Sequence, residues 1–82
     1  MNQTKDVGML WLDDDKERPI EEKIRRAAAY MKEKYGRFPA RIFTQMVQTS
    51  IQVNGITVEH MPNVLPHHLF LMFEGATDEK AN

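Results

Sequence analysis

Three consecutive carboxylates, Asp13-Asp14-Asp15, stand directly after the apolar run Val7-Gly8-Met9-Leu10-Trp11-Leu12. Hard oxygen donors at the end of a strand suit a divalent cation such as Mg²⁺. In open α/β sheets, ligands collect beyond the carboxyl ends of the strands. Joined by His60, the set Asp13, Asp14, Asp15 and His60 is a candidate metal site for hydrolysis or phosphoryl transfer. The plainer reading is that the aspartates end the burial of the strand and solvate the loop after it. Carboxylates are seldom buried unpaired.

The remaining chemistry is thinner. His60, His67 and His68 are the only histidines, and they are expected near the junction of the last two strands. Such rings serve as zinc ligands or general bases, but no HExxH spacing is present and the single serine, Ser50, has no nucleophile motif around it. The chain has no cysteine, which removes disulfides and thiolate zinc sites. Gly8, Gly36, Gly55 and Gly75 are scattered and form no phosphate-cradling loop. Arg25, Arg26, Lys32, Lys34 and Arg37, with Tyr30, Tyr35 and Phe38 nearby, make a partly basic surface. Nucleic-acid binders combine cations with stacking rings, yet Glu21, Glu22 and Glu33 interrupt the patch and the formal net charge is −1. Nucleic acid is therefore not indicated as a partner, binding through the helix standing only as a third reading after self-association and metal-dependent hydrolysis, and no catalytic residue is assigned. No cofactor is indicated beyond a divalent metal at the aspartates.

These residues need elements to position them. Six unbroken apolar or small residues, Val7–Leu12, read as a strand buried on both faces, central and parallel in its sheet. Ile20, Ile24, Ala27, Ala28, Met31 and Tyr35 recur at helical period and predict a helix over about Pro19–Tyr35. Pro19 suits its first turn, Glu21–Arg25 and Glu22–Arg26 pair at i,i+4, and Gly36 followed by Pro39 stops it. A strand over Ala40–Val47 follows, so strand, helix and strand form a β-α-β crossover with the first two strands parallel. Asn54-Gly55 between alternating apolar residues signals a tight hairpin, with Val53 opposite Ile56 and Ile51 opposite Val58. Equally, Gln48–Val53 reads as a loop or helical turn before a single strand, Ile56–Met61. A last apolar strand, His68–Glu74, is expected antiparallel to Ile56–Met61. The fold class is α/β, or α+β in two layers: a mixed sheet of four or five strands with one main helix on one face.

All 82 residues make one small domain, with residues 1–5 and 76–82 expected to fray. At about 0.05–0.15 kcal/mol per residue, its stability is roughly 4–12 kcal/mol. No signal-like or membrane-spanning segment is read in the sequence, so a cytoplasmic location is the expectation and no membrane partner is implied. One helix covers one face of a sheet, while Val7–Leu12 and Leu69–Phe73 are apolar on both. Monomers rarely leave such a face open. A second copy, stacked sheet on sheet or sharing helices about a two-fold axis, is the economical cover. Met9, Trp11, Phe70 and Met72 are the expected interface, and the leading reading is a non-enzymatic, self-associating protein-binding module. Loops or the tail after Gly75 are the alternative cover.

The apolar run ending in aspartates resembles the acidic pocket of response-regulator receiver domains over about nine residues, Val7–Asp15. No aspartate ends Ala40–Val47 or Leu69–Phe73, where a phosphoacceptor would stand, and the chain is too short for that fold. More broadly, Trp11-Leu12-Asp13-Asp14-Asp15, the helix ending Ala27–Gly36, Pro39 and Val64-Leu65-Pro66-His67-His68 together resemble short uncharacterised bacterial proteins across most of the chain. That resemblance implies no activity and transfers no functional residue.

Overall fold

The computed structural model describes residues 8–73; the expected fraying at the two ends lies outside them. One helix packs on a five-stranded mixed sheet, an α+β fold. The elements are β1 (Gly8–Leu12), α1 (Ile20–Tyr35), β2 (Pro39–Thr44), β3 (Ile51–Val53), β4 (Ile56–His60) and β5 (His68–Phe73). Across the sheet the order is β1-β5-β2-β4-β3.

The helix forms where its apolar stripe demands cover. Ile24, Ala27, Ala28 and Met31 are buried, while Tyr35 stays half-exposed with its ring 5.2 Å from that of Phe73. Pro19 is the N-cap rather than the first helical residue, its carbonyl accepting from the Glu22 and Lys23 amides. At the other end Gly36 adopts φ 84°, and its amide donates to Lys32 O at 2.8 Å. That left-handed cap is cheap only for glycine. Arg25 pairs with Glu22 at 2.9 Å, three residues away rather than the expected four.

Two placements differ from the sequence reading. β5 pairs with β1 and β2, both antiparallel, and not with β4. The reason is occupancy: β4 has the β3 hairpin on one side and parallel β2 on the other, so it has no free edge. β1 is accordingly an edge strand, not a central one. Because both flank β5, β1 and β2 run parallel to one another without touching as neighbours. β2 also stops early. The Thr44 hydroxyl donates to His68 O at 2.8 Å and accepts from the Met46 amide at 3.1 Å, which turns the chain before Val47.

The tight hairpin is present. Ile51 faces Val58 and Val53 faces Ile56, joined by Asn54 (φ 51°) and Gly55 (φ 82°). Positive φ at both positions is the turn whose twist matches paired strands. The core lies between α1 and one sheet face, where Ile42, Val58, Leu69 and Leu71 are fully buried with Ile24 and Met31. Met9 and Trp11 pack against the margin of this core.

Candidate functional site

The aspartate loop is built as a clamp. Both Asp13 carboxylate oxygens accept from Arg18 Nη1, at 2.9 and 3.0 Å, and Oδ1 also accepts the Asp15 amide. Arg18 reaches Asp15 as well, at 3.2 Å, and Asp15 accepts the Glu17 amide. Lys23, on the first turns of α1, donates to the Asp13 carbonyl at 3.1 Å, and the Asp13 amide donates to His67 O at 2.9 Å. Asp13 thus ties the end of β1 to α1 and to the start of β5. Burial is the largest single effect on the Asp13 carboxyl and raises its pKa. The Asp15 amide, the Arg18 guanidinium and the Lys23 ammonium together outweigh it and hold the group below its ordinary 3.8.

That clamp uses the lone pairs a cation would need. Asp14 points to solvent-exposed surface, and His60 is engaged elsewhere, with Nδ1 2.9 Å from Val47 O. A carbonyl only accepts, so Nδ1 carries the proton there. The same argument applies to His68 Nδ1, 2.8 Å from Pro66 O. Among the described residues, no three His, Asp or Glu side chains converge on a common metal position. Asp13, Asp14, Asp15 and His60 are therefore not brought together as one ligand set. Arg18 and Lys23 were not singled out in the sequence, although Arg18 lies only five residues after Asp13.

The second candidate is the sheet face away from α1. Residues paired across a ladder share a face, so Leu10 lies with Phe70 and Phe43, and Met72 with Arg41. Leu12 continues the row opposite His68. This face has an apolar half, made by Leu10, Leu12, Phe43, Phe70 and Met72 on β1, β5 and β2. Its other half is polar: Arg41 pairs with Glu59 at 3.5 Å, and Gln52 donates to Thr57 at 2.8 Å. Leu10 and Leu12 are 48% and 57% exposed.

Of the expected interface residues, Phe70 and Met72 lie on this open face. Met9 and Trp11 lie opposite Leu71 and Leu69, on the helix side. The Trp11 ring lies 5.1 Å from that of Tyr30, tilted by 43°, and its indole N–H is buried without a partner among the described residues. Leu10, Leu12 and Phe43 take the places expected of Met9 and Trp11. Only the register tells them apart, because a one-residue slip exchanges the faces of a strand. Among the described residues no helix is long and apolar enough to cross a membrane. Compared with known proteins, the chain matches no family model, no curated protein and no solved structure.

Proposed function

We propose that the protein is a non-enzymatic module that binds a second copy of itself through the open sheet face. The observation that carries this reading is the apolar half, Leu10, Leu12, Phe43, Phe70 and Met72, that no other described residue covers, on a sheet whose one described helix lies on the other side. A two-fold axis parallel to the sheet, lying between the two copies over β5, would set apolar half against apolar half. Arg41, Glu59, Gln52 and Thr57 then fall at a wet rim. That division, an apolar centre with a polar margin, is the anatomy of protein interfaces. Stable contacts bury about 800 Å² per partner, so the contact must take in the polar margin as well as the exposed Leu10 and Leu12 and the partly buried Phe43, Phe70 and Met72.

Sedimentation across micromolar concentrations tests the reading. The expected species has twice the 9.6 kDa chain mass, and Phe70→Glu returns it to the monomer while far-ultraviolet circular dichroism is unchanged. A wild-type monomer at every concentration removes self-association and leaves the same face for a different protein.

A further inference from the structure

A concave feature lies on the helix side, at the end of the sheet away from the aspartate clamp. A cleft of about 930 Å³ opens between α1 and the turn joining β3 to β4. Its floor includes Ile24, Ala28, Val53 and Ile56, all from the buried core. Arg25, Lys32 and Arg37 stand around it, and among the described residues no acidic one lines it. Three cations without a lining carboxylate are notable in a chain of formal net charge −1. Arg25 is held by Glu22 at 2.9 Å. Lys32 donates to Gly36 O at 3.2 Å and lies 5.5 Å from the Phe38 ring, and Arg37 sits 4.3 Å from the Phe73 ring. Among the described residues, Lys32 and Arg37 are paired with no carboxylate.

We propose that this cleft binds a small amphiphilic anion, with its apolar body along Ala28, Ala29, Phe38, Val53 and Ile56 and its charged head between Lys32 and Arg37. The volume falls within the range of about 300–1,000 Å³ that small-molecule sites occupy, and such sites combine an apolar lining with a few placed polar groups. Charge complementarity selects the head. Cations of one sign beside low-dielectric walls concentrate an anion and repel a cation. The Phe38 ring, 55% exposed, extends the apolar wall toward solvent. This site does not depend on the open sheet face, which belongs to the opposite side of the sheet.

The test uses the full chain and four probes with a ten-carbon chain: decanoate, decyl phosphate and decyltrimethylammonium below their micelle concentrations, and decanol below its solubility limit. Binding is read from amide ¹H–¹⁵N shifts. Decanoate or decyl phosphate is expected to move Ala28, Lys32, Gly36, Val53 and Gly55 saturably, at least about tenfold more tightly than decanol. The ratio of the two anions identifies whether carboxylate or phosphate is the preferred head. Lys32→Gln with Arg37→Gln is expected to weaken the anion about tenfold and leave decanol unchanged. Equal binding of decanol or of the ammonium probe overturns the proposal, as do anion shifts centred on Leu10, Phe70 and Met72 or no saturable shift at millimolar probe. The probe comparison on the unsubstituted chain stands whether or not the double variant folds.

Discussion

β5 shows two outcomes of one chemistry. Leu69, Leu71 and Phe73 alternate with Phe70 and Met72, and all five are apolar. The first three are sealed beneath α1 with at most 4% exposure, whereas the other two face away from it and keep partial exposure. Hydrophobicity alone therefore does not say which side of a central strand is core. The side beneath α1 stabilises the fold; the other side, among the described residues, has no helix over it and is the face we propose for self-association.

The comparison breaks most sharply at adjacent positions. Leu71→Ala should cost about 2–5 kcal/mol through lost transfer energy and an unfilled cavity, a large fraction of the chain's stability in urea denaturation. Met72→Ala, next in sequence, should change the unfolding free energy by less than about 1 kcal/mol in the dissociated chain. An equal loss at the two positions would erase the distinction between the faces. Phe70→Glu should weaken dimerisation by about 2–4 kcal/mol, roughly 30- to 800-fold, as buried aromatic anchors do, measured by sedimentation with unfolding of the monomer unaffected. If Leu69→Glu dissociated a still-folded chain as readily, the open face would lose its special status.

The aspartate clamp sharpens the comparison from the edge of the sheet. Asp13→Asn should destabilise by about 1–3 kcal/mol at neutral pH, because a charge-assisted pair on Arg18 is weakened. The pKa of Asp13 is depressed in the folded chain, so its stabilisation is complete above the unfolded value of about 3.8 and is lost as pH falls through the lower folded value. The difference between wild type and Asp13→Asn should therefore shrink on acidification below about pH 4, in paired urea titrations. A gap that widens there would reverse the sign. Smallest of all, Arg41→Ala should alter stability by less than about 1 kcal/mol, since its partner Glu59 and it share a wet surface.

Much of the helix side was readable in advance because its signals are local. Ile24, Ala27, Ala28 and Met31 repeat within one segment, Gly36 marks the cap, and Asn54-Gly55 specifies both turn and register of the hairpin. What escaped was long-range. An unbroken run such as Gly8–Leu12 has no alternation to show which residues face the helix, so Met9 and Trp11 were indistinguishable from Leu10 and Leu12. The place of β5 between β1 and β2 depends on β4 having spent both its edges, a property of the whole sheet. The Arg18–Asp13 clamp was hidden for a different reason: a loop side chain finds its partner only once the loop has bent.

The seat of β5 also bears on synthesis. The interior place between β1 and β2 is taken by the last described strand to leave the ribosome. Until Phe73 has cleared the exit tunnel, a nascent chain has α1, β2 and the hairpin but nothing to join β1 to them. Closure is thus deferred to the end of translation of this segment, and the greasy margins of two separated strands wait unsheltered until then.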